Sequence, residues 1–78
     1  MRNKIKLLRA EKNLTQGQLA EMSGISRTAL AMIENEKAVP DGTTIAALVK
    51  ALNTPATDIF FDLDVVREQQ SGNDIGSI

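Results

Sequence analysis

Between residues 15 and 34 two short helical patterns flank a tight turn, each with a hydroxyl residue at the cap position, and that arrangement leaves few ways to fold the chain. Thr15 opens the first unit with Gln18 three residues on, the spacing at which a cap hydroxyl and the third helical residue bond reciprocally. Leu14 before the cap and Leu19 after it can close as a hydrophobic staple. The pattern predicts a helix over 16–22 with Leu19 and Ala20 turned inward, and Ala20 is small where another helix has to approach closely. Gly17 is the oddity, costing about 1 kcal/mol of helix propensity relative to Ala, though less near a helix start. Ser23-Gly24-Ile25 reads as a turn, because Gly24 takes positive φ without a Cβ clash. Ser26 caps the second unit, a helix from Arg27 to Glu34 or Asn35. In it Leu30 and Ile33 face inward, while Arg27, Thr28, Ala31 and Met32 face out.

Two capped helices around a glycine turn make a helix-turn-helix pattern, and the flanking sequence supplies a body for it. Residues 2–12 read as a first helix, with Ile5 and Leu8 on one side and Asn13 as a stop able to take the left-handed conformation. Arg9 lies near the apolar side of that helix. It either snorkels from the core edge or pairs with a carboxylate from elsewhere in the chain. Residues 35–40 form a connection ended by Pro40. Asp41 can cap a fourth helix over 43–52, in which Ile45, Leu48, Val49 and Leu52 share a face, and Asn53 ends it. Thr54-Pro55 reads as a cap plus first-turn proline for a short fifth helix to Ile59 or Phe60. Beyond it Phe61, Leu63 and Val65 alternate with Asp62 and Asp64. That is the period of a short strand, or else a frayed extension of the fifth helix, and the strand reading is the one preferred. A lone strand needs a partner edge; no second strand is visible in the sequence, and a second copy of the chain could supply one. Residues 69–78 read as a flexible tail. The expected architecture is all-α and five-helical: residues 1–60 as one domain, 61–68 as dimerisation strand or helix extension, and 69–78 as tail.

Composition removes several function classes. The 78 residues hold no cysteine and no histidine. Disulfides are therefore impossible, a zinc site would rest on carboxylates alone, and no Ser/His/Asp or Cys/His catalytic set can form. No glycine-rich phosphate loop is present, and no cofactor is implied. An enzyme is not expected. No apolar run approaches a membrane span, and the charged N-terminus lacks a signal-peptide core, which points to the cytoplasm. The net charge is -1, but residues 1–60 carry +2 and residues 61–78 carry -3. A weakly basic body with an acidic tail is compatible with DNA.

The ordered set of these motifs resembles the Cro/C1-type helix-turn-helix family of phage, plasmid and bacterial regulators, over residues 4–60. Leu14-Thr15-Gln16 and Leu19-Ala20 match its second helix, and Gly24-Ile25-Ser26-Arg27 matches its turn and the start of its recognition helix. Ile33-Glu34-Asn35, Lys37, Pro40, Ala51-Leu52 and Asp58-Ile59-Phe60 match the positions that follow. The resemblance implies a lambda-repressor-like fold in which Arg9 pairs with Glu34. It implies that the third helix enters the major groove of double-stranded DNA. Arg27 and Thr28 would then read base edges and Met32 would offer an apolar contact, suited to a thymine methyl. Met32 can equally pack at the edge of the core. Gln16, Asn35 and Lys37 would contact phosphates. The bland alternative for Arg27 and Lys37 is ordinary solvated surface.

Two positions depart from the family pattern. Glu36 stands where glycine is common, and its carboxylate should weaken binding near a phosphate. Gly42 replaces a larger apolar residue and should loosen the start of the fourth helix. The expected function is a sequence-specific regulator, a repressor that binds a palindromic operator as a homodimer, with Phe61, Leu63 and Val65 in dimerisation. No sensor domain or ligand pocket is expected. The competing reading is a protein-interaction component, an antitoxin or accessory regulator, whose acidic C-terminal segment binds a regulatory partner protein.

Overall fold

The computed structural model describes residues 1–61, which form five helices and one small sheet. In chain order these are β1 (Arg2–Asn3), α1 (Ile5–Glu11), α2 (Gln16–Ser23), α3 (Arg27–Glu34), α4 (Gly42–Leu52), α5 (Ala56–Ile59) and β2 (Phe60–Phe61). Leu63, Val65 and the tail over 69–78 lie outside the described residues.

The helix starts follow the hydroxyl and carboxylate positions. Thr15 accepts from the Gln18 N–H while its own N–H donates to Gln18 Oε1, which completes the capping box of α2. Ser26 accepts from Ala29 and heads α3. Asp41 accepts from Thr44 at 2.8 Å and heads α4, which begins at Gly42, one residue earlier than the spacing predicts. That hydrogen bond holds the Asp41 carboxyl below its usual pKa of 3.8.

The helix ends share one device. A left-handed residue follows each of α1, α2, α3 and α4: Asn13 at φ 57, Gly24 at 71, Glu36 at 63 and Asn53 at 51. In each case the next residue's N–H returns to a carbonyl five positions back: Leu14 to Arg9, Ile25 to Ala20, Lys37 to Met32 and Thr54 to Val49. These are Schellman closures, which satisfy the last carbonyls of a helix.

Two sequence expectations are corrected at the edges. Residues 2–3 are strand rather than helix, and they supply the second strand that the sequence did not reveal. β1 pairs antiparallel with β2 in the same chain, Arg2 opposite Phe61 and Asn3 opposite Phe60. Lys4 N–H extends the tie to the Ile59 carbonyl at 2.8 Å. Asn3 shortens α1, because its side-chain oxygen accepts from the Ile5 N–H while its amide nitrogen reaches the Ile33 carbonyl. The strand at Phe61 therefore needs no second copy for an edge on this side. At α5, Pro55 occupies the cap position and Thr54 does not. Thr54 is already committed to the end of α4, where its hydroxyl donates to the Leu52 carbonyl.

The core draws on nearly every element: Ile5, Leu19, Ala20, Leu30, Ile33, Leu48, Leu52, Ile59 and Phe60 are buried together. Leu8, Leu14, Ile25, Ile45 and Val49 pack around it, half-buried. α2 packs against both α3 and α4. A buried residue of this size contributes about 1.5–3 kcal/mol through the water it leaves behind. Among the described residues, one buried side-chain polar atom has no hydrogen-bond partner: the hydroxyl of Ser23, at the end of α2.

Candidate nucleic-acid interface

α3 divides its residues cleanly. Leu30, Ile33 and Glu34 are buried, whereas Arg27, Thr28 and Met32 are exposed. Thr28 and Met32 are four apart and so stand one above the other on the same face. Met32 is 43% exposed, which settles it on the surface of α3. Ala31 is half-buried, and this moves it off the outer face that its spacing suggested.

Arg27 does not simply extend into solvent. A Cβ built on Gly17 would lie 3.6 Å from Arg27 Cδ and 3.9 Å from Cζ. The guanidinium therefore rests beside the first turn of α2, at ordinary contact distance from where a methyl group on residue 17 would sit. Thr15, Gln16, Gly17 and Arg27 together border an open cleft of about 480 Å³ between the starts of α2 and α3. The N-terminal amides of a helix favour an anion, and Arg27 adds a full positive charge there.

The other end of α3 is held from inside. Arg9 Nε donates to Glu34 Oε2 at 2.8 Å, and Arg9 Nη2 donates to Oε1 at 3.1 Å. Arg9 Nη1 also donates to the Leu14 carbonyl. The Glu34 side chain is fully buried and the Arg9 side chain 18% exposed. The pairing that the resemblance implies is present, and it joins α1 to the end of α3. Sequence reasoning did not anticipate a third participant. Gln16 Nε2 donates to Glu34 Oε1 at 3.1 Å. The signal for it is thin, since the two residues are 18 positions apart and only packing brings them together.

Asn35, Glu36 and Lys37 follow α3 and are all exposed. Glu36 occupies the left-handed position, which explains why glycine suits this site: a side chain there costs about 1–2 kcal/mol. Two cations lie over the Phe61 ring, with Lys4 Nζ 5.4 Å and Arg2 Cζ 5.7 Å from its centre. Among the described residues no cluster of acidic side chains could hold a metal ion, and no helix is long and apolar enough to cross a membrane.

The sequence is similar to known proteins over the same residues. A helix-turn-helix family model matches residues 5–59. The chain is 37% identical over 68 residues to the immunity repressor protein of Bacillus phage phi105, covering 87% of this chain and 47% of that protein. It is also 37% identical over 65 residues to the HTH-type transcriptional repressor RghR of Bacillus subtilis (strain 168), covering 82% of this chain and 48% of that protein. The chain thus spans about half the length of these relatives. Both relatives are named as repressors, and neither name is that of an enzyme. The chain belongs to the Cro/C1-type helix-turn-helix family.

Proposed function

We propose that the protein is a sequence-specific transcriptional repressor that binds double-stranded DNA in the cytoplasm with α3 in the major groove. The observation that carries this reading is the exposed set Arg27, Thr28 and Met32 on a helix whose opposite side is buried. Arg27 and Thr28 serve as hydrogen-bonding readers of base edges, and Met32 as an apolar contact. Gln16, Asn35 and Lys37 meet phosphates and set the register. Both relatives named above carry the word repressor in their names, which favours repression over activation.

A homodimer on a palindromic site is part of the proposal. Two recognition helices about 34 Å apart would read adjacent major grooves on one face of the duplex. Phe61, Leu63 and Val65 are the proposed dimerisation residues. Because β1 occupies one edge of β2, a second copy has to use the other edge or the side-chain face. Truncation after Phe61 keeps the β1–β2 pair and removes Leu63 and Val65. It is expected to weaken the dimer in sedimentation, and an unchanged dimer would count against this assignment.

A second reading has its own support. Residues 61–78 carry a charge of -3, and the matched relatives are about twice as long as the match. An acidic segment that binds a regulatory partner protein is consistent with both facts, and co-purification of a stoichiometric partner would favour it.

The decisive experiment is selection of duplexes from a random pool at two salt concentrations. The proposal expects an enriched sequence whose affinity falls steeply with salt, since each neutralised phosphate contributes about -0.9 to the logarithmic slope. No enrichment even at low salt would defeat it.

A further inference from the structure

Clamping α1 to α3 needs only Arg9 and Glu34, yet the buried carboxylate of Glu34 takes a further hydrogen bond from Gln16. Gln16 is the first residue of α2, half-buried, and it borders the open cleft beside Arg27. A carboxylate only accepts hydrogen bonds, so the Gln16 group facing it has to be the amide nitrogen. That nitrogen carries two N–H groups. One is committed to Glu34, and the second remains to donate elsewhere.

We infer that Glu34 is a positioning residue for DNA binding: its buried carboxylate pins the Gln16 amide so that the second N–H is ready for a phosphate at the start of α2. This role rests on the DNA reading above. A free glutamine loses rotamer freedom when it grips a ligand, whereas one already held does not. Glu34 is also the last residue of α3, immediately before Asn35 and three positions before Lys37. One buried group thus fixes both proposed phosphate-contacting segments, Gln16 at the start of α2 and the residues after α3. The ion pair and the phosphate contact become one hydrogen-bonded unit.

The test uses the full chain with two probes, a duplex recovered from the random-pool selection and a random-sequence duplex of equal length. Gln16→Ala removes the donor and leaves the Arg9–Glu34 pair intact. Glu34→Gln keeps the side-chain volume and one acceptor oxygen. Each is expected to weaken binding to the selected duplex about three- to tenfold, as for loss of one hydrogen bond. The double variant is expected to match the weaker single variant, because both remove the same contact. Side-chain amide relaxation by NMR is expected to find the Gln16 NH₂ group rigid in the wild type and mobile in Glu34→Gln. Losses that multiply in the double variant would overturn the role while leaving DNA binding standing. A Gln16 amide already mobile in the wild type would also overturn it, and this holds even if Glu34→Gln does not fold. Failure of the wild type to bind either duplex at low salt would overturn the DNA reading, and this role with it.

Discussion

The two ends of α3 are built for different purposes. Its N-terminal end carries lighter ties, the Ser26 hydroxyl on the Ala29 N–H and the Arg27 side chain lying over Gly17 of α2. Arg27 and Thr28 stay exposed there. Its C-terminal end is tied to three other parts of the chain. Glu34 reaches Arg9 on α1 and Gln16 on α2, and the neighbouring Ile33 carbonyl takes the Asn3 amide from β1. One end can change its side chains without touching the core, whereas the other cannot change without stranding a buried charge. A helix of eight residues thus separates an exposed part, free to change its side chains, from the part that must hold the domain together.

The largest break in that contrast should come from Glu34→Ala. It leaves the Arg9 guanidinium mostly buried without its partner, and chemical denaturation is expected to register a loss of about 3 kcal/mol. A loss below about 0.5 kcal/mol would mean that the C-terminal end is no better anchored than the other.

Arg27→Ala probes the opposite end. Its stability should stay within about 0.5 kcal/mol of wild type, as for other exposed positions. Binding measured across single-base variants of a selected site should lose about 1–3 kcal/mol of discrimination at one base pair. A uniform loss across all sequences would instead make Arg27 a phosphate contact, in keeping with its resting place beside Gln16 in the cleft.

Glu36→Gly sharpens the comparison from just past α3. Glycine relieves the left-handed strain, so a gain of about 1 kcal/mol is expected in thermal or chemical unfolding. The lost carboxylate should also tighten DNA binding at low salt, where surface charge is least screened.

The smallest effect belongs to the start of α4. The carboxyl of Asp41 is held below 3.8 by the Thr44 N–H, so its folded pKa lies under its unfolded one. The cap therefore contributes above about pH 4, and its contribution fades as the pH falls through the folded value. Asp41→Asn, which caps without titrating, should flatten this acid limb in pH-dependent melts.

Much of the fold was legible because its signals are local. Thr15, Ser26 and Asp41 announced helix starts, and Asn13, Gly24 and Asn53 announced ends, since a cap involves residues within one turn of each other. The apolar spacing of Leu19, Leu30, Ile33, Leu48 and Leu52 placed the core for the same reason. The exposed face of α3 followed once its buried face was known. Thr54 was misread because two devices overlap at that residue, and the closure of α4 claims it before α5 can.

Tertiary structure alone decided the rest. β1 has two residues, too few to show a strand period, and it exists because the end of α5 returns beside the N-terminus. The fit of Arg27 over Gly17 and the bond from Gln16 to Glu34 join residues 10 and 18 positions apart, whose encounter depends on how α2 and α3 cross. Residue types and spacing determined which helices form and which faces they bury. Packing determined which polar groups meet, because a hydrogen bond across the fold needs a distance within about 3 Å, and no local pattern in the sequence sets that distance.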